Sequence, residues 1–418
     1  MKRFLILAIS LAVLMSCEKV SGEKKQQDET PEIEKNKDFV PVSLTKAQES
    51  IRTETNSFAF NVFSALMERE AEMVGKNMMI SPLSLSSALS MCVNGADGLT
   101  EEQMLQVMGY DGFTVDEMNS FYEVILDALV RADEKVDFLS ANSIWHVRDI
   151  ELYDSYKENI SKVFSADVEE VDDFNADAVE KINEWCSKKT NGKIEKFIES
   201  DRVSGKVKLI NALYFKGEWT DEFGKPHKKA FNHENGSVSQ IETISDVRTI
   251  KYGEDENFQC VEIPYGNGAF VMDLILPSED MSMKNAAMSL TAEVWDSLTQ
   301  SMTEDEVMLE FPVFDIKYGK DLREILIELG MSSAFTVADF SKMSPTELLI
   351  SQVLQKTYIS VTEKGSEAAG VTDVTLEDSM APEGDEGEKM TTFIADRPFF
   401  FIIRESSTGV ILFMGKKS

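Results

Sequence analysis

The residue types that most often carry chemistry are few in this chain and poorly spaced for it. Its three histidines, His146, His227 and His233, belong to no HExxH pair. No GxSxG elbow, Walker loop or GxGxxG fingerprint is present. His227 stands in the polar, turn-like stretch FGKPHKKAF and reads as a surface side chain rather than a general base. The cysteines Cys17, Cys92, Cys186 and Cys260 include no CxxC pair, which argues against a zinc or thioredoxin-type site. Cys92, in the apolar run ALSMCV, reads as a buried small hydrophobe, and so do Cys186 and Cys260. With 74 acidic residues, no carboxylate pair stands out. An enzyme is not expected, nor a metal or a cofactor.

The informative spacing lies near the C-terminus, in EKGSEAAGVTDVTLEDSMAPEGDEGEKM, which runs from Glu363 to Met390. If residues 365 to 378 form a strand, one face carries Ser366, Ala368, Gly370, Thr372, Val374 and Leu376. The other face carries Glu367, Ala369, Val371, Asp373, Thr375 and Glu377. The first set has no charge, as a strand with one buried face requires. Beyond it the acids Glu377, Asp378, Glu383, Asp385, Glu386 and Glu388 face one base, Lys389, so that half belongs in water. Taken alone, the pattern fits a solvated loop, a permanent strand, or a segment that becomes a strand.

The elements that must position this segment belong to one large domain. The chain has 418 residues, 43% of them hydrophobic, which is enough for a substantial core. A net charge of −32 excludes nucleic acid as a partner, because a phosphate backbone needs a basic surface. Lys2 and Arg3 precede an apolar run, Phe4 to Met15, that is too short for a comfortable membrane span and has the shape of a secretory signal. Residues 18–45 are rich in charge, Gln and Pro, and read as a flexible tether. No linker interrupts the remainder, so 46–418 reads as one domain. Helix-period segments such as Ser57–Leu66 and DLREILIELGM (321–331, stopped by Gly330) alternate with strand-like runs. Those runs include VKLINALYFKG, FVMDLILP, VMLEFPVFDI and the pair RPFFFIIR and GVILFMG, joined by ESST as in a hairpin. The mixture indicates an α+β protein.

Two resemblances sharpen this reading. Leu14-Met15-Ser16-Cys17 resembles the lipobox of bacterial lipoproteins, which implies a signal peptide over 1–17 and lipid attachment at Cys17. Glu18 is not the Asp that retains many lipoproteins at the inner membrane, so the resemblance implies an exported protein anchored at the outer membrane, with its outward face an option. The second is to the serpin family. Asn77–Leu89 (NMMISPLSLSSAL) resembles its N-terminal signature, followed by Gly95-Ala96, Gly98-Leu99-Thr100 and Leu139–Asn142. Ile182–Trp185, Thr190–Ile194, Leu209–Trp219 (LINALYFKGEW), Ile263-Pro264-Tyr265 and Leu329-Gly330-Met331 continue the series. Ala338–Ser341, Glu367-Ala368-Ala369 and Asp396–Phe399 complete it, over roughly residues 48 to 418.

The family resemblance implies three β-sheets, eight to nine helices and an exposed reactive-centre loop, here about 363–395. It also implies an inhibitor of serine endopeptidases, with cysteine endopeptidases as a further class. A target protease cuts the loop and forms a covalent acyl-enzyme, and the loop then enters the main sheet as a new strand. This family is a standing example of strand addition and of released strain. About a dozen new ladder hydrogen bonds, at ~0.5–1.5 kcal/mol each, would make the cut state far more stable. Carried over residue by residue, the hinge is Glu363, Gly365, Ser366, Glu367, Ala368, Ala369 and Gly370. The sheet-opening region is Ser81, Ser84, Asn211, Trp219 and Gln355. Counting from Glu363 by the family's usual spacing places the scissile bond at Ser379-Met380, with Met380-Ala381 second; counting back from Pro398 lands near Gly387. Cutting at Lys389-Met390 would make the inserted strand too long.

Two departures matter. Ser366 replaces a commoner Thr, with little change in size. Gln355 stands where many members carry His, which removes a titratable group from the opening region. The expected partner is a target protease in a covalent complex with a monomeric inhibitor, with membrane contact only through the lipid. The alternative is a non-inhibitory member that acts as a binding or structural protein, or as a decoy substrate.

Overall fold

Segments of helical and of two-residue period alternate along the chain and give ten helices and fifteen strands among the described residues. The computed structural model describes residues 34–69, 75–190, 192, 196–198, 205–366 and 390–418. In chain order the first elements are α1 (Lys46–Arg69), β1 (Met78–Ile80), α2 (Pro82–Val93), α3 (Gly98–Met108), α4 (Val115–Arg131) and β2 (Val136–Val147). Next come α5 (Asp154–Phe164), β3 (Asp167–Val171), α6 (Ala176–Lys189), β4 (Val207–Glu218), β5 (His227–Asn232) and β6 (Val238–Glu254). They are followed by β7 (Phe258–Tyr265), β8 (Phe270–Pro277), α7 (Met283–Ser289), α8 (Ala292–Ser301), β9 (Thr303–Pro312) and β10 (Phe314–Asp321). The series closes with α9 (Arg323–Glu328), α10 (Ser333–Thr336), β11 (Val353–Thr362), β12 (Gly365–Ser366), β13 (Thr391–Ile394), β14 (Phe399–Glu405) and β15 (Ile411–Lys417). The helix count exceeds the eight or nine expected because α9 and α10 are short separate turns.

A six-stranded sheet runs β10-β11-β12-β4-β2-β3. A nine-stranded sheet runs β1-β15-β14-β8-β7-β6-β9-β13, with β5 paired to β6. The three sheets expected become two hydrogen-bonded units because β6, 17 residues long, passes unbroken from its pairing with β5 and β9 into its pairing with β7. The core sits where β8, β14 and β15 are buried on every residue, covered by α1 through contacts such as Phe63 with Phe400. Continuous apolar runs such as FFFII are what a strand with both faces covered needs. The ESST stretch is the turn between the antiparallel strands β14 and β15, as its composition predicts.

Two helices flank the six-stranded sheet. Ser81 caps α2 by accepting from the Ser84 N–H, and Pro82 opens its first turn, where a missing N–H costs nothing. Nearly every residue of α2 is buried, including four serines whose hydroxyls need partners inside. On the opposite face Trp185 of α6 donates to Asp167 and meets Trp145 of β2 edge to face. Strand alternation turns Asn142 toward α2 and Trp145 toward α6.

The tether expected over 18–45 ends sooner, because the folded unit begins at Lys35. Asn36 makes two main-chain bonds to the α4–β2 corner, with Arg131 and Glu134, which tie the chain down without regular secondary structure. Among the described residues no helix is long and apolar enough to cross a membrane. Cys17, Glu367–Gly370 and the bonds Ser379-Met380 and Met380-Ala381 lie outside the described residues.

Candidate functional site

The six-stranded sheet contains a split. Strands β4 and β11 are parallel and pair directly only from Val353↔Leu209 to Lys356↔Ala212. Above that point they part, and Gly365–Ser366 occupies the upper end of the gap as β12. On one side Thr362↔Gly365 and Val361↔Ser366 form a tight hairpin with β11. On the other, Gly365↔Glu218 and Ser366↔Gly217 pair with β4. The beginning of the sequence-predicted hinge is therefore a strand residue pair held from both sides.

Residue 365 must be glycine for this to happen. Its φ is +149°, and a Cβ there would lie 2.1 Å from the Gly217 carbonyl oxygen. The turn before it is caught by main-chain bonds. Trp219 N–H donates to Lys364 O at 3.0 Å, and Phe223 N–H donates to Glu363 O at 2.9 Å. The Trp219 indole N–H donates to Thr362 O at 2.8 Å. Trp219 also stacks on Tyr265 with centroids 4.3 Å apart, and the Tyr265 hydroxyl meets the buried Ser366 hydroxyl at 2.6 Å. Burial pushes the Tyr265 phenol well above its ordinary range, so it stays protonated as a hydrogen-bonding group.

The lower end, where β4 and β11 touch, is held by uncharged polar side chains. Gln355 of β11 and Asn211 of β4 are register partners. The Gln355 amide accepts from Ser81 N–H at 2.9 Å and donates to Ser81 C=O at 2.8 Å. The Ser81 hydroxyl donates to Leu412 O of β15 at 2.7 Å, which fastens the cluster to the central core. The Ser84 hydroxyl donates to Asn211 Oδ1, and Asn211 Nδ2 donates to Asn142 Oδ1. Asn142 in turn donates to Phe164 O at 3.1 Å and to the Ser87 hydroxyl. Every one of these residues is buried. A path of hydrogen bonds thus runs beneath the joint from β11 through α2 to β4 and β2. Because Gln355 supplies a donor and an acceptor without a titratable proton, this joint has no charge state of its own at that position.

The structure brings Ser81, Ser84, Asn211 and Gln355 together in one cluster, and Trp219 with Glu363, Gly365 and Ser366 in another. Sequence reasoning did not assign Asn142 or Tyr265 to the site. Both stood in matched motifs, LSAN and IPY, and that was the available signal. The residues first inspected for catalysis are scattered. His146 is buried on β2 beside Val147 O, His227 is exposed at the start of β5, and His233 bonds the Ser239 hydroxyl at 2.7 Å. Cys92, Cys186 and Cys260 are free and buried, and burial pushes the Cys186 thiol up to about 12.

Comparison with known proteins agrees with this geometry. A family model described as Serpin (serine protease inhibitor) matches residues 53–418. An uncharacterized serpin-like protein of Thermococcus kodakarensis is 32% identical over 86% of this chain and 84% of its own. Intracellular coagulation inhibitor 2 of Tachypleus tridentatus is 31% identical over 90% of this chain and 93% of its own. Among solved structures, the thermophilic serpin tengpin in its native state superposes with a TM-score of 0.79 at 29% identity, over 92% of this chain and 97% of that one.

Proposed function

The chain belongs to the serpin family, whose members are typically protease inhibitors rather than catalysts, and on that premise we propose that it traps serine endopeptidases as a suicide substrate. Cysteine endopeptidases are a second target class. The observation that carries this reading is the two-sided pairing of Gly365–Ser366 at the top of the split. A strand that is to grow between β4 and β11 needs a first residue pair in register, and here it exists before any cut. Ser366 points at Tyr265 inside the body, so strand alternation would turn Ala368, Gly370, Thr372, Val374 and Leu376 the same way as insertion proceeds. None of these carries a charge that would be buried unpaired. Glu367 and Asp373 would turn to the opposite face.

Growth of the strand must separate Val353–Lys356 from Leu209–Ala212, and with them the polar cluster below. The bond to be cut is Ser379-Met380 in this reading, with Met380-Ala381 second. The acids from Glu383 to Glu388 then follow the cut and stay in water. A covalent complex with the target protease is the expected product, and the inhibitor acts as a monomer. Cys17 is the site of a lipid that anchors the exported protein at the outer membrane. This is tested by detergent-phase partitioning of wild type against Cys17→Ala, and loss of partitioning only in the variant is expected.

The inhibitory mechanism is tested by mixing the protein with elastase-, chymotrypsin-, subtilisin-, trypsin- and papain-like proteases and running a denaturing gel. A covalent band near the summed mass, with Ser379 at the new chain end, is expected. Clean cleavage with the protease active throughout would overturn the reading in favour of a decoy substrate. No cleavage at all would favour a binding protein.

A further inference from the structure

We infer that residues 35–45 form a strap that restrains opening of the split between β4 and β11. The inference rests on the inhibitory reading and concerns the control of insertion before cleavage. Across the top of the six-stranded sheet, Ser366, Gly217 and Val136 form one lateral row through β12, β4 and β2. Lys35 grips the far end of that row. Its ammonium donates to Val136 O at 2.8 Å and to the Asp137 carboxylate at 2.8 Å. Asn36 N–H donates to Arg131 O at 2.8 Å, and its carbonyl accepts from Glu134 N–H at 2.9 Å.

The α4–β2 corner held in this way is itself seated on the β7–β8 turn, which follows directly on Tyr265. The buried Asp133 carboxylate accepts from Asn267 N–H at 2.6 Å and from Lys135 N–H at 2.7 Å. The Asn267 amide donates to Ala132 O at 3.0 Å and reaches Asn36 O at 3.5 Å. Gly266, with φ +48°, lies so close that a Cβ would be 2.0 Å from the Asp133 carboxylate, so the two turns are in direct contact. One residue earlier, Tyr265 holds Ser366. From Asn36 the chain crosses to the opposite support. Val42 N–H donates to the Ser407 hydroxyl in the β14–β15 turn at 2.9 Å, and Thr45 N–H donates to Gln48 Oε1 at the start of α1.

Admitting one more strand widens a sheet by about 4.8 Å. Strands β2 and β4 are paired from Val136↔Gly217 to His146↔Val207, so they must shift together away from β11. Lys35 is attached to that moving pair through Val136 and Asp137 of β2. By contrast Ser407, α1 and Asn36 (at the corner seated on the β7–β8 turn) belong to the core that stays. The strap spans the two and opposes the shift. Releasing it lowers the barrier to insertion of the uncut loop, which consumes the inhibitor.

The test uses the full-length double variant Lys35→Ala/Asn36→Pro, with Lys35→Ala alone as the milder change and Lys35→Arg as the control that keeps the donor. Uncut protein is incubated warm, and two readouts are followed: residual capacity to form the covalent protease band, and the unfolding temperature. Loss of trapping about tenfold faster than wild type is expected for the double variant, the factor that corresponds to a lost bond from a charged donor. A second, higher unfolding transition should grow in step with it, and Lys35→Arg should match wild type. Equal rates in all variants, or faster loss with only a lowered unfolding temperature, would overturn the strap. Protease-cut wild type and variant serve as reference. If cutting raises the unfolding temperature in neither, the insertion mechanism itself fails, and the strap with it.

Discussion

At its upper end the split between β4 and β11 is closed by aromatic rings and main-chain bonds, whereas at its lower end the same two strands are closed by a chain of buried amides and hydroxyls. The upper contacts are tolerant at 363 and 364, although 365 must be glycine. Main-chain donors from Trp219 and Phe223 accept any residue at 363 and 364, and the Trp219–Tyr265 stack is a surface over which a small side chain can sit. The lower contacts are directional. Gln355 uses both ends of its amide on Ser81, and Asn211 stands between Ser84 and Asn142, so moving one member strands another. The difference suits a sheet that starts a new strand at one end and resists its completion at the other.

The comparison is broken most severely at the upper end by Gly365→Val. The side chain has no room beside Gly217, and φ +149° is not open to valine, so β12 should leave the split. Covalent trapping on a denaturing gel should then be lost and replaced by simple cleavage. Ser366→Arg should act in the same direction by placing an unpaired charge beside Tyr265. Trapping at the wild-type level in both would show that the hinge pairing is irrelevant to inhibition.

Cutting the lower chain at Asn211→Ala leaves the Ser84 hydroxyl and the Asn142 amide short of a partner. A loss of about 1–3 kcal/mol in urea unfolding is expected. Tyr265→Phe is a gentler probe of the upper end, because it removes one hydroxyl bond to Ser366 and keeps the stack. It should lower stability by about 1 kcal/mol in the same measurement. If Tyr265→Phe proves as costly as Asn211→Ala, the proposed contrast between a tolerant and a directional end is wrong.

The smallest effect concerns Lys208, just below the point where β4 meets β11. Its ammonium lies 4.8 Å from the Phe174 ring and 3.4 Å from Gln352 Oε1. Burial pulls its pKa down to about 8, while Asp321 favours the charge. Between about 8 and the ordinary 10.5 the unfolded chain binds more protons than the native one, so stability rises with pH across that window. The burial penalty is fully present below it. Lys208→Met should therefore stabilise the protein near neutral pH by on the order of 1 kcal/mol, with the gain shrinking as pH rises from about 8 to the ordinary 10.5. A pH-independent difference in urea midpoints would reject this account.

Much of the site was legible along the chain because the constraint there is local. The small, uncharged, every-second-residue pattern after Glu363 announced a strand with one dry face; of that segment Gly365 and Ser366 are described, in β12, and both are buried. Trp219 and the SPLS stretch were legible only through resemblance, since nothing in their spacing says which strands they join. Tyr265 and Asn142 were passed over because a hydroxyl or an amide shows its role only when its partner, 101 or 69 residues away, is in place. The early end of the tether, at Lys35, was hidden for a similar reason. Its charged, Pro-containing composition is that of a solvated segment, and only the main-chain groups of the α4–β2 corner hold it down.

By itself, the sequence determined the class of fold, the family and the alternation of small uncharged residues after 365. Each is written in residue types and short-range order. Only the tertiary structure decided that Gly365–Ser366 is paired on both sides, that Gln355 clamps Ser81 with both ends of its amide, and that Tyr265 and the turn after it hold Ser366 and the α4–β2 corner. Those facts depend on which distant strands lie side by side. That is set by the packing of the whole core and not by any local stretch of chain.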